Sequence, residues 1–306
     1  INARNKKEGI LWQAKVTSVS LLPEKEKKKL FGSISDEGET PLGDLPPGFE
    51  FYGGGVFELG GGYYTPSIDS YPPSFSWKNQ HGIDWVTSVK DQHEPVRCGS
   101  CTAFSTVAVM ESLADIYYNT QLKLDLSEQT ILCNYNNRGM GNVLCACGAV
   151  ISDILNIARD QGLNEESCLP YHPLICSPGS VLCGGSSSVS VNPSLCTALS
   201  ASVCHSCSQA WKITSWTRMS PPGSFMSDST LKQALITHGP LHWGIRSISH
   251  AIMLVGYQPF HDGRTVWIFK NSWGQDWGVN GYLYATVHPN DRMSAFYYTR
   301  PYSNLE

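Results

Sequence analysis

The 306-residue chain has no stretch of 18 consecutive apolar residues, which excludes a membrane-spanning helix. It also lacks a charge excess. With 22 Lys and Arg against 26 Asp and Glu, the net charge is −4, which argues against a nucleic-acid binder. Its glycine runs, Gly53-Gly-Gly55 and Gly60-Gly-Gly62, have no strand–helix pattern around them, which excludes a dinucleotide-binding loop. Cys204-His-Ser-Cys207 has no second cysteine pair of matching spacing set clearly apart from the other cysteines, so it is not read as a zinc site, and no metal or cofactor is expected. No basic stretch followed by a short apolar core stands at Ile1. The sequence is therefore expected to begin after removal of a leader. What these absences leave is a globular chain long enough for a large core and more than one lobe.

Cysteine, by contrast, is abundant. Eleven of them, an odd number, suit up to five bridges with one thiol left over, in an oxidising setting: lysosomal, vacuolar or secreted. The candidate for the odd thiol is Cys101, in Val89-Lys-Asp-Gln-His-Glu-Pro-Val-Arg-Cys-Gly-Ser-Cys101-Thr-Ala-Phe-Ser105. Behind it, Ala103, Val107, Met110, Ala114 and Tyr117 recur at three- and four-residue intervals, which predicts an amphipathic helix starting at Cys101. Its thiol would sit at a helix N-terminus, where unsatisfied N–H groups and the positive dipole end favour a thiolate over the ordinary cysteine acid of pKa about 8.5.

A nucleophilic thiolate needs an acid to protonate the leaving group and a residue to orient that acid. His250 heads the apolar run Ala251-Ile-Met-Leu-Val-Gly-Tyr257, and Asn271 ends the run Val266-Trp-Ile-Phe-Lys270, both of strand type. The turn Phe260-His-Asp-Gly263 makes these runs a hairpin, so Asn271 can meet one nitrogen of His250 and leave the other facing Cys101. His250 lies 149 residues after the thiol (250 − 101) and Asn271 lies 170 after it (271 − 101). The first spacing falls in the roughly 130–150 residues of papain-type enzymes and the second somewhat beyond. Taken singly, such a cysteine is more simply half of a disulfide and such a histidine a structural donor. Their order and flanking sequence point to catalysis.

These residues, with Ser74-Phe-Ser-Trp77, Leu126-Ser-Glu-Gln129, Ser249-His-Ala251 and Lys270-Asn-Ser-Trp-Gly274, resemble the papain family of cysteine peptidases across most of residues 71–300. The resemblance implies an α+β, two-lobed fold: a mainly helical lobe over about 71–208, a β-barrel-like lobe over about 209–306, and an active site in the cleft between them. It implies Cys101 as nucleophile, His250 as acid and base, Asn271 as orienter, and Gln92 with the backbone N–H of Cys101 as oxyanion hole. Trp273 would shield the Asn271–His250 contact, and the backbone of Gly148 would pair with an extended peptide or protein substrate. The family pattern would join Cys98 to Cys145 and Cys133 to Cys168.

Residues 1–70 read as a prosegment and activation linker preceding the peptidase domain at 71–306. Pro23 opens a charged helix-like stretch ending at Phe31 with Gly32 behind it, and Pro41 to Pro66 is irregular and rich in Gly, Pro and Tyr. Asn5 to Gly32 is similar to the short prosegment of cathepsin B-like enzymes, which implies an intramolecular inhibitor lying backwards in the cleft. The other reading is an extension without inhibitory role. Cys176 to Ser208 reads as a disulfide-tied insertion. It and Gln92-His-Glu-Pro95 are similar to features of cathepsin X-like enzymes, in which the loop histidine, here His93, would hold a substrate's terminal carboxylate for exopeptidase action. Two positions depart from the family. Thr102 follows the nucleophile where an aromatic residue is usual, and only nine residues (241–249) separate Pro240 from His250 where the family has some two dozen. These departures favour an alternative: a catalytically silent homologue serving as a structural or binding component.

Overall fold

The computed structural model describes residues 33–34, 50–51, 71–95, 98–135, 144–145, 148–173, 181–183, 189–191, 204–208, 210–219, 226–245, 249–260, 263–286 and 293–303. In chain order the strands are Ser33–Ile34 (β1), Glu50–Phe51 (β2), Phe75–Ser76 (β3), Ala149–Val150 (β4), Val181–Cys183 (β5), Val189–Val191 (β6), Trp211–Arg218 (β7), Leu241–Ile245 (β8), His250–Pro259 (β9), Thr265–Lys270 (β10), Tyr282–Thr286 (β11) and Met293–Ser303 (β12). The helices are Cys101–Tyr117 (α1), Glu128–Tyr135 (α2), Ile151–Asp160 (α3) and Asp228–His238 (α4). The expected helix at 24–31, most of the glycine-rich stretch and most of the Cys176–Ser208 insertion lie outside the described residues.

The main sheet runs in the order β2-β11-β10-β9-β8-β12-β7, with β3 joined to β9. Its end strands, β2 and β7, do not pair with each other, so the sheet is open. The expected barrel-like closure is corrected to an antiparallel sheet with helices packed on both faces. The hairpin read from sequence forms, with Thr265 opposite Pro259, Lys270 opposite Met253 and the turn closed by the Gly263 N–H donating to Phe260 O at 3.0 Å. Both strands are apolar at nearly every position because each feeds two cores. Met253, Val255 and Ile268 face the core around α1, α2 and α3, while Ile252, Leu254, Trp267 and Phe269 face the core capped by α4. A strand buried on both faces has no need of polar alternation. Gly256 interrupts β9 because β3 crosses there: an added Cβ would lie 2.5 Å from Phe75 O.

Local signals explain the helix boundaries. Ser227 caps α4 by accepting from Thr230 N–H at 3.1 Å, and Gly239 ends it at φ +86°, a conformation that strains other residues. α3 buries Ile151, Ile154, Leu155 and Ala158, one stripe at helical spacing. α1 starts at Cys101 as expected, but it is not amphipathic. Every residue from Cys101 to Asp115 is buried, Glu111 and Asp115 included. The reason is that α2 and α3 cover one side of it and β8, β9 and β12 cover the other.

Among the described residues three disulfides form. Cys98–Cys145 agrees with the family pattern. Cys133–Cys168 does not form: Cys133 pairs with Cys204 and Cys168 with Cys207. The insertion brings its Cys-x-x-Cys turn onto the 165–169 turn, where the His205 ring lies 2.8 Å from Cys168 O, so the two turn cysteines meet the two expected partners and divide them. Cys168, His205 and Cys207 also stand close enough to suggest a metal ligand set, but two of these sulfurs are bonded to each other and have no thiolate to offer. By chain entropy, closing loops of 71 and 39 residues contributes about 4 kcal/mol each.

Behind α1, His242 of β8 is fully buried, its Nδ1 2.9 Å from Tyr298 Oη and 3.4 Å from Thr106 Oγ1, one turn beyond Thr102. Burial pushes its pKa down to about 3.

Two outcomes are expected. Peptide mapping without reduction will yield Cys133–Cys204 and Cys168–Cys207 linkages and no Cys133–Cys168 linkage. Folded His242 stays neutral down to about pH 3, while the unfolded chain protonates it below about 6.5, so acid favours unfolding across that window. In a Cys101→Ser background, urea unfolding will show stability falling more steeply with acidification than in the His242→Phe variant, by up to ~1.4 kcal/mol per pH unit.

Candidate active site

Five segments meet at the Cys101 end of α1. Cys101 is fully buried there, and the Ala251 N–H at the head of β9 points at its sulfur at 3.4 Å. The preceding residue, His250, is paired in register with Ile245 of β8, which fixes its height on the sheet. Its Nε2 is 2.8 Å from Asn271 Oδ1. The identity of that amide atom is set by a second contact, because the Ser272 backbone N–H donates to it at 2.9 Å and only an oxygen can accept. His250 therefore carries its hydrogen on Nε2, which leaves Nδ1 with the lone pair in the neutral ring. Asn271 itself is held by its N–H donating to Gly281 O at 2.9 Å.

The Trp273 ring lies 4.8 Å from His250 at an interplanar angle of 36° and is itself packed edge-on against Trp277 at 5.1 Å. His250 is 2% exposed, and burial pushes its pKa down to about 4; the Asn271 hydrogen bond opposes this and the nearby His93 charge adds to it. In so dry a place neither an imidazolium nor a thiolate is stable alone.

Gln92 is equally constrained. Its Nε2 donates to Cys98 O at 2.8 Å and its Oε1 accepts from Ser272 Oγ at 2.7 Å, while its backbone N–H donates to Ser272 O at 2.9 Å. An amide nitrogen has two N–H bonds, and this geometry commits one of them to Cys98. Gly274 turns the chain after Trp273 at φ +74°, and a Cβ there would meet Asp91 Oδ2 at 2.7 Å, so the glycine permits the close approach of the two segments. His93 lies beside Trp273 with ring centroids 5.9 Å apart. Asp91 Oδ1 accepts from its backbone N–H at 2.9 Å and stands 3.3 Å from its Nδ1. Burial pushes the Asp91 carboxyl up, but these His93 contacts outweigh it and hold it below its ordinary value.

Gly148 adopts φ +78°, and the next two residues, Ala149 and Val150, pair in parallel with Ser33 and Ile34. Of the residues expected from sequence, the contacts above join His250, Asn271, Trp273 and His93 to one another and Gln92 to Ser272, and bring Cys101 to Ala251, the neighbour of His250; Gly148 takes no part in these contacts. Thr102 is buried, and its backbone oxygen accepts from Thr106 Oγ1 at 2.8 Å.

Sequence reasoning missed two residues that shape the site. Ser272 fixes both Gln92 and Asn271, and its place inside Asn271-Ser-Trp-Gly274 was the signal for it. Tyr171 lies 2.8 Å from Ser100 Oγ and donates to Gln92 O at 3.2 Å, from an irregular segment that carried no signal.

Comparisons with known proteins bear on this arrangement. The family described as papain family cysteine protease matches residues 71–295. A viral cathepsin of Cydia pomonella granulosis virus (isolate Mexico/1963) is 32% identical over 236 residues, covering 69% of this chain and 56% of that protein. Pro-cathepsin H of Mus musculus is 29% identical over 228 residues, covering 72% and 62%. The chain spans less than two thirds of these relatives. Procathepsin L 3 of the Tenebrio molitor larval midgut has a similar fold, with a TM-score of 0.63 at 18% identity, over 98% of this chain and 86% of that one. Given the match over residues 71–295 and the extent of likeness to the viral cathepsin, the chain belongs to the papain family of cysteine proteases.

Proposed function

We propose that the chain is a cysteine peptidase that hydrolyses peptide bonds through Cys101, His250 and Asn271, with Gln92 and the Cys101 backbone N–H binding the oxyanion. The observation that carries this reading is the Nε2–Oδ1 contact of His250 with Asn271 beside a buried thiol. In the mechanism, the Cys101 proton passes to Nδ1 of His250, and the thiolate attacks the scissile carbonyl carbon. Negative charge moves to the carbonyl oxygen, where one amide donor is worth roughly 3 kcal/mol. As the C–N bond breaks, His250 returns the proton to the leaving amine, and a thioester remains on Cys101. Water, deprotonated by the same nitrogen, then releases the acid and the thiol. Asn271 keeps the ring in the orientation that serves both steps.

Residues 1–70 serve as the prosegment in this reading. Support comes from the parallel pairing of β1 with β4, because Ser33–Ile34 takes the backbone edge next to Gly148 that the family resemblance gives to substrate. A substrate cannot use that edge until the strand leaves. Three described disulfides suit an oxidising compartment, lysosomal, vacuolar or secreted.

A second reading, exopeptidase action at a free carboxyl terminus, is favoured by the Asp91 clamp on His93. With Nδ1 facing Asp91, a protonated ring directs Nε2–H to the remaining side, where a charge-assisted bond to a carboxylate is strong.

After mild acid treatment and exposure to an epoxysuccinyl thiol-protease inhibitor, intact mass is expected to show one adduct on Cys101 and loss of about residues 1–70, with neither change in Cys101→Ser. An unlabelled Cys101 in protein freed of its prosegment would overturn the reading in favour of a silent structural homologue. For the exopeptidase reading, His93→Ala should lose on the order of tenfold in kcat/KM on peptides with a free carboxylate and little on their amides. Equal losses on both would exclude carboxylate recognition.

A further inference from the structure

Behind the site, where the helical layer meets the sheet, lies a buried group of charges that the mechanism above does not use. Lys270 is 4% exposed, and its Nζ donates to Thr87 Oγ1 at 3.0 Å. Thr87 in turn donates its hydroxyl hydrogen to Glu111 Oε2 at 2.6 Å, and Glu111, 1% exposed, accepts the Leu126 N–H on its other oxygen at 2.8 Å. A second cation closes the group. Lys90 reaches Leu126 O at 2.8 Å, Asp125 Oδ1 at 2.7 Å, Glu128 Oε1 at 3.2 Å and Glu111 Oε1 at 3.3 Å. Between them is a cavity of about 20 Å³, lined by Lys90, Ser105, Glu111, Glu128, Lys270 and Asn271 among others. Ser105 Oγ, one turn beyond Cys101, is buried there with no hydrogen-bond partner among the described residues. The cavity has room for about one water molecule and polar groups to hold it.

The placement of these residues is what matters. Lys270 is the covalent neighbour of Asn271 at the end of β10, and Glu111 stands on α1, the helix that begins with Cys101. Ten residues separate Glu111 from Cys101 (111 − 101), about 15 Å of helix, so neither Lys270 nor Glu111 touches the reacting atoms. Thr87 is the hydroxyl that joins them, and it does so in one direction only: the ammonium donates to the hydroxyl and the hydroxyl donates to the carboxylate. Largely buried ion sets of this kind seldom outdo apolar packing in stability, and in some proteins their use is to fix the relative geometry of the elements that carry them.

On the peptidase reading above, we propose that Lys270 is a positioning residue: through Thr87 and Glu111 it ties the strand end bearing Asn271 to the helix bearing Cys101, and so holds His250 in line with the thiol. Burial pushes the Lys270 pKa down to about 8, with the Glu111 carboxylate as the leading charge opposing it, Lys90 adding to the fall and Glu128 and Asp84 opposing it further.

Lys270→Met removes the tie and also one of the two cations beside Glu111, which keeps Thr87, the Leu126 N–H and Lys90, so an altered charge balance would confound its effect. Thr87→Val and Thr87→Ser separate the two effects, because valine keeps the shape without the hydroxyl and serine keeps the hydroxyl. In the matured protein, Thr87→Val is expected to lower kcat by on the order of tenfold with KM unchanged, and Thr87→Ser to restore it. A second readout needs no turnover. The Nε2–H proton of His250, held by Asn271, gives a downfield NMR resonance that should broaden or vanish in Thr87→Val and stay sharp in Thr87→Ser. If Thr87→Val keeps both kcat and a sharp resonance, with only its melting temperature lowered, the proposal fails. If the wild-type Cys101 does not react with the epoxysuccinyl probe, it is the peptidase reading that fails, and the resonance alone then decides whether the relay positions His250.

Discussion

Helix Cys101–Tyr117 has no solvent face over its first fifteen residues (101–115), and the rest of the molecule is arranged by that fact. An interior helix must be covered on all sides, so the helical layer and the sheet both pack against it and the boundary between them runs along its length. The same burial puts the N-terminal thiol at the point where strands β8, β9 and β10 turn back. A thiol on a surface helix would have only one layer to draw neighbours from. On the proposed reading Cys101 draws from both, with Gln92 and Tyr171 on one side and His250, Asn271 and Trp273 on the other.

Burying such a helix creates polar obligations as well as apolar ones. Glu111 answers to Leu126, Thr87 and Lys90, and Asp115 to the Leu122 N–H at 2.8 Å. Around the site the pattern is the same: Ser272 gives its hydroxyl to Gln92 and its backbone N–H to Asn271. Gln92 and Asn271 are thus each held by Ser272, and hydrogen bonds in so low-dielectric a region fix the direction of their amides.

Much of this was legible in the sequence because it rests on local pattern. The helix start at Cys101 and the His250 and Asn271 strands followed from periodicity and the Phe260–Gly263 turn. The pairing of His250 with Asn271 followed from the hairpin they share. What was not legible depends on which parts of the chain meet. Disulfide partners were misread because Cys204 and Cys207 arrive from an insertion whose path no periodicity reveals. The helix read as amphipathic because Ala103, Val107, Met110, Ala114 and Tyr117 recur at helical spacing, but the positions between them, as far as Asp115, are buried as well, Glu111 and Asp115 through partners 7 to 24 residues away in sequence. Sheet closure was misjudged because whether β2 and β7 meet is a property of cumulative twist, not of either strand.

The register between β8 and β9 has a consequence for how the site can change. Ile245 opposite His250 and Leu241 opposite Leu254 index the imidazole to the sheet as one rung of its ladder. A slip of β9 against β8 by a single residue would turn His250 to the opposite face and carry it away from Asn271, so the strand register sets that contact as much as the two side chains do.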